Sequence, residues 1–119
     1  GFGLTHTLPR LIGQQRANLM FLTGRRVKAE DGLAWGLVDE VVPLDQLLSV
    51  AKALALEIAE NAPLAVVATR KTLRGDLAKA VRDQTNHEHG QQTVLRATED
   101  FAEGVRAVQE RRAGNFKGK

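Results

Sequence analysis

Between Leu22 and Pro43 the chain reads LTGRRVKAEDGLAWGLVDEVVP, and two glycines divide this stretch into short pieces. Gly24 closes an apolar run at a place where a helix C-terminus favours a residue that tolerates positive φ. Ala29 to Trp35 then reads as a short helix, with Glu30 and Asp31 in the first turn, where the helix dipole favours negative charge. Gly36 ends that helix as Gly24 ended the one before. Leu37 to Val42 reads as a short strand that Pro43 terminates. A helix end, a helix and a strand in so few residues exclude a plain helical repeat.

The rest of the chain reads as helices. Gly1 to Thr7 is expected to be a loop, and Leu8 to Gly13 one or two helical turns with Pro9 tolerated at the start. Gln14 to Thr23 is expected to be helical with a wide apolar face. Asp45 is placed as the N-cap of a helix running to about Glu60, with Leu47, Ala51, Leu54 and Ile58 at helical spacing. Asn61 and Pro63 mark its end. Ala65 to Leu73 forms the next helix, and Gly75 breaks it. Asp76 is expected to cap a long helix whose middle, Gln84 through Gln92, is almost wholly polar, so that this face meets water or a polar interface. Thr98 caps the last helix, with Glu99 and Asp100 in its first turn and Arg111 and Arg112 in its last. The expected class is mostly α, with at most one short strand. A lone strand cannot make a sheet, so its partner would come from another copy or from further sequence.

Composition narrows the function classes. With 119 residues the chain is one domain or part of one, and it carries 43% apolar residues. The opening GFGL, a glycine-rich turn with no element before it, suggests a piece of a longer protein. The absence of cysteine excludes disulfides, zinc–thiolate sites and a catalytic thiol. The net charge of +3 is too small to argue for nucleic acid, although the tail RRAGNFKGK holds four cations and no anion. The sequence offers no apolar run of membrane-spanning length and no address signal, so neither nucleic acid nor membrane is expected as a partner, and the cytoplasm is the default location.

Catalytic and metal constellations are not evident. His87 and His89 are two apart and point in different directions on a helix, so no metal site is assigned. His6 has no acidic partner nearby in sequence. Asp39 and Glu40 would face opposite sides of a strand. Trp35 reads as a core residue.

Four stretches, in order, resemble the enoyl-CoA hydratase/isomerase (crotonase) superfamily. These are TLPRLIGQQRA at 7–17, the Leu22–Pro43 segment, NAPLAVVATRKTL at 61–73, and the closing ATEDFAEGVRAVQERRAGNFKGK at 97–119. The resemblance covers essentially the whole chain. It implies that residues 1–119 are the C-terminal helical, trimer-forming region of a crotonase-like α/β fold whose N-terminal ββα core lies outside this sequence. It further implies a coenzyme A thioester as substrate, no permanently bound cofactor, and a homo-oligomer, trimer or hexamer. The acid–base glutamates of the family fall before Gly1, so no catalytic residue is assigned here, and the chain alone is expected to be inactive. Gly1 matches a loop glycine whose N–H helps hold water in hydratases. Arg111 matches a basic position that in some members reaches a neighbouring subunit's CoA phosphates. Gln92 matches a place beside the adenine, and Lys117 belongs to the closing motif. Hydration of a 2-enoyl-CoA is the parent reaction most in keeping with the resemblance, with isomerisation as an alternative. A different class, a non-catalytic helical oligomerisation module, also fits the chain taken alone.

Overall fold

The computed structural model describes residues 2–119, and these fold into seven helices with no strand among them. In chain order they are α1 (Leu4–Ile12), α2 (Gln14–Thr23), α3 (Ala29–Trp35), α4 (Leu47–Ala59), α5 (Pro63–Arg74), α6 (Leu77–Arg96) and α7 (Glu99–Gln109).

Glycine stops operate as the sequence suggests. Gly24 ends α2 at φ 62°, its N–H bonded to Met20 O at 3.0 Å. Gly36 ends α3 at φ 74°. There, Leu37 N–H reaches Gly32 O at 2.8 Å and Gly36 N–H reaches Leu33 O at 3.1 Å. This pair of bonds defines a Schellman motif, in which the left-handed residue turns the chain back onto the helix's last free carbonyls.

Four expectations are corrected. Leu37–Val42 is bend and extended chain, not a strand, because no second segment among the described residues lies beside it to complete a ladder. Gln46, not Asp45, is the N-cap of α4, and it makes no side-chain cap bond. Thr5, His6 and Thr7 are helical, and Pro9 lies inside α1 instead of its first turn. Proline there removes one helical N–H, so α1 needs support from elsewhere, and α6 provides it. Arg111 and Arg112 lie past the end of α7.

The buried centre is small. Leu8 and Ile12 of α1 pack with Ala17 of α2, and Met20, Trp35 and Leu37 lean on that cluster. The Arg16 guanidinium sits 5.8 Å from the Trp35 ring centroid, within cation–π range, and ties α2 to α3. α6 packs on α1, and α7 packs on α6. α4 and α5 contain no buried residue. The chain exposes 10016 Å², against about 6,300 Å² for a compact monomer of its mass. Its radius of gyration is 19.3 Å, where a compact domain of this length has about 13–14 Å. The helices therefore form an open arm with its apolar faces bare. Among the described residues no helix is long and apolar enough to cross a membrane.

Candidate functional site

Two polar constructions stand out, one where α6 meets α1 and one where the C-terminal tail returns to α7. At the first, the start of α1 has backbone N–H groups without helical acceptors. Glu88 of α6, only 9% exposed, supplies them. Gly3 N–H donates to Glu88 Oε2 at 3.0 Å, while Thr5 N–H and the Thr5 hydroxyl donate to Oε1 at 3.1 and 2.5 Å. Gln84 Nε2 donates to Thr5 Oγ1 at 2.7 Å. The Thr5 hydroxyl, followed by the two backbone donors, holds the Glu88 carboxyl below its ordinary value against the opposing pull of burial. Gly3 is required twice over. Its φ is +69°, and a Cβ there would stand 2.9 Å from Val81 Cγ1 and 3.0 Å from Val81 O.

The polar middle of α6 is thus divided, with one stripe turned inward while Arg82, Asp83, Asn86, His87, His89 and Gln91 stay exposed. Leu77, Val81, Gln84, Thr85, Glu88 and Gln92 recur at three- and four-residue steps, all buried or half-buried. Leu4, Thr5, Phe21, Gln84, His87 and Gln92 line an open groove of about 600 Å³ beside it.

At the second construction the closing motif folds into a clasp. Thr98 is the N-cap of α7 and accepts from Phe101 N–H at 3.1 Å. Asp100 accepts the N–H groups of Lys117 and Gly118, each at 2.7 Å, and its own N–H donates to Lys119 O at 3.0 Å. Glu103 receives Arg112 in a two-pronged pair, at 2.5 and 3.2 Å, together with Asn115 N–H at 2.9 Å and Arg106 at 3.3 Å. Arg112 also reaches Glu110 at 2.6 Å. The Arg112 hydrogen bond and the Asn115 N–H lower the Glu103 carboxyl from 4.5 to about 2, and the Arg112 guanidinium is raised correspondingly. Phe116 lies over Gly104 and Gly114. The pocket between α7 and the tail holds about 330 Å³ and is lined by Glu99, Asp100, Glu103, Arg106, Arg112, Asn115 and Lys117.

α7 ends in the same motif as α3. Arg112 N–H bonds to Ala107 O at 3.0 Å and Arg111 N–H to Val108 O at 3.3 Å. Here the left-handed position belongs to Arg111, at φ +52°. Its guanidinium makes no hydrogen bond or ion pair with the described residues, whereas Arg112 beside it is fully engaged.

Across all 119 residues the chain matches the model of the enoyl-CoA hydratase/isomerase family. It belongs to that family. It is 40% identical over 118 residues to (E)-benzylidenesuccinyl-CoA hydratase of Thauera aromatica, covering 99% of this chain and 46% of that protein. With 2,3-dehydroadipyl-CoA hydratase of Escherichia coli (strain K12) it shares 36% over 119 residues, covering 100% of this chain and 47% of that protein. The crystal structure of an enoyl-CoA hydratase/isomerase from Pseudoalteromonas atlantica T6c superposes with a TM-score of 0.87 at 31% identity, over 97% of this chain and 46% of that one. The chain therefore spans just under half the length of these family members.

Of the sequence-assigned contact residues, Gln92 lines the α1–α6 groove and Lys117 lines the clasp pocket, while Arg111 is exposed at the end of α7. Gln92 and Lys117 thus line two different pockets. Gly1 lies outside the described residues. Sequence reasoning passed over Glu88 and the partners of Asp100, Glu103 and Arg112. The stripe spacing in α6 and the acidic positions of the closing motif were the available signals.

Proposed function

We propose that the whole protein adds water to a 2-enoyl-CoA thioester and that residues 1–119 form its C-terminal helical region. The observation that carries the reading is identity of 36–40% along the full chain to two proteins that are both named as CoA hydratases. Hydration of a conjugated thioester needs donors that stabilise the developing enolate oxygen, and a carboxylate that moves the α-proton. In this reading those groups come from outside residues 1–119, and the chain supplies cofactor contacts and subunit contacts. Arg111 and Lys117 are cations suited to the phosphates of CoA, and Gln92 provides a hydrogen-bonding amide. In this reading the protein assembles as a trimer or pair of trimers, and the bare apolar faces of α4 and α5 are covered by other subunits or by the rest of the same protein.

The test is an assay of the full-length protein against a panel of 2-enoyl-CoA thioesters. Loss of the conjugated chromophore with appearance of the 3-hydroxyacyl-CoA is the expected result. Movement of the double bond without water uptake would replace hydration by isomerisation. A second reading, an assembly module without catalysis, is favoured by the same exposed faces. It predicts an oligomer with no turnover of any thioester in the panel.

A further inference from the structure

The clasp does more than the helix itself requires, although Lys119 O accepts the first-turn N–H of Asp100. α7 is already capped by Thr98 at one end and closed by the Schellman turn at the other. Yet Asp100 and Glu103 gather three backbone N–H groups of the tail, Asn115, Lys117 and Gly118, together with the Arg112 side chain. The tail contains Gly114 and Gly118 and, unfastened, would sample many backbone conformations. The clasp also sorts the cations. Arg106 and Arg112 are consumed by Glu103, and Lys119 lies 3.6 Å from Glu99. The charged groups of Arg111 and Lys117 make no hydrogen bond or ion pair with the described residues. The result is a tail fixed in place with two unspent cations on it.

We propose that Asp100 and Glu103 are positioning residues for phosphate recognition: by fastening the tail to α7 they hold Lys117 beside Arg111, which the turn at the end of α7 already fixes, for the phosphates of a CoA thioester. The inference rests on the functional reading above, in which these two cations meet CoA. Fixing flexible cationic side chains and their backbone before the ligand arrives removes an ordering cost that would otherwise weaken binding. Neither carboxylate touches the ligand, since each would repel it.

The experiment uses the full-length protein and measures binding of CoA and of 3′-dephospho-CoA, with kcat and KM for a turned-over enoyl-CoA. Glu103→Gln and Asp100→Asn are expected to weaken CoA binding about 5–10-fold, equivalent to about 1–1.4 kcal/mol, with kcat unchanged. The dephospho ligand should lose less. In an Arg111→Ala/Lys117→Ala background the same substitutions should cost nothing further, because they act through those side chains. Amide exchange of Asn115, Lys117 and Gly118 should quicken in both carboxylate variants while the amides of α6 keep their wild-type rates, which separates release of the tail from unfolding.

The inference is overturned if the carboxylate variants free the tail amides and leave CoA binding unchanged while Arg111→Ala/Lys117→Ala weakens it. It is overturned equally if those amides exchange at the wild-type rate, or if the losses add in the combined variant. If Arg111→Ala/Lys117→Ala itself leaves CoA binding intact, the phosphate-contact reading fails and takes the inference with it.

Discussion

α4 and the α7 clasp are built on opposite principles. α4 is rich in leucine and alanine and buries none of its residues, leaving Leu54 55% and Ile58 51% exposed. The clasp is polar, faces solvent, and satisfies its carboxylates within some twenty residues of chain. An apolar face gains stability only when something covers it, whereas paired ions and backbone donors close on themselves. One region is completed locally, and the other waits for a partner surface. The first prediction tests that division at its largest effect. Burying a leucine or isoleucine contributes about 1.5–3 kcal/mol, so Leu54→Lys with Ile58→Lys should weaken self-association about 100-fold or more. Sedimentation would read it. Unchanged assembly would show that α4 is not a contact face, and Glu103→Gln should leave assembly unaltered.

Glu88 lies between these extremes, a polar group whose partners are distant in sequence. Glu88→Ala deletes a carboxylate that accepts three hydrogen bonds from the described residues and leaves the first turn of α1 uncapped. The expected loss is about 2–3 kcal/mol of stability, measured by denaturant unfolding of the full-length protein, with Glu88→Gln losing less. A loss within experimental error would mean that water replaces the carboxylate without cost.

How legible these regions were in the sequence follows the same division. The bounds of α2 and α3 could be read because glycine stops are local chemistry, and the Thr98 cap for the same reason. α1 was read too short because its start depends on Glu88, more than eighty residues away. Leu37–Val42 has strand-like residues, but pairing is a relation between segments, and the second segment is not among the described residues. The closing motif was recognisable as a family pattern. That its Asp100 and Glu103 read tail amides was not, because a motif's letters do not name its hydrogen-bond partners. Gln92, Arg111 and Lys117 were assigned by resemblance, and the fold separates Gln92 from the tail that carries the other two.

Acid should separate the clasp from ordinary surface carboxylates. Glu103 titrates at about 2 in the folded chain instead of 4.5, so its contribution is complete above 4.5 and is lost as pH falls through about 2. Between those values the unfolded chain takes up a proton that the folded clasp refuses, and stability declines with acidification. At pH 3 the Glu103 carboxylate should still be ionised, and the Asn115 amide still protected. A carboxyl NMR titration with a midpoint near 4.5 would dissolve the contrast.

The smallest effect is the sharpest, because α3 and α7 end in the same hydrogen-bonded turn with different residues. Gly36 occupies the left-handed position in one and Arg111 in the other. A side chain at positive φ costs about 1 kcal/mol relative to glycine, so Arg111→Gly should raise the stability of the full-length protein by about that amount. Arg111→Ala keeps the strain and should not. If Arg111 meets phosphate, both variants should weaken CoA binding equally, and only Arg111→Gly should unfold later on heating. That pairing separates the backbone's demand from the ligand's. A position where glycine folds better and arginine binds better carries arginine for the ligand. Equal stability of the two variants would instead mean that the turn holds arginine without strain, and the residue's presence there would need no functional account.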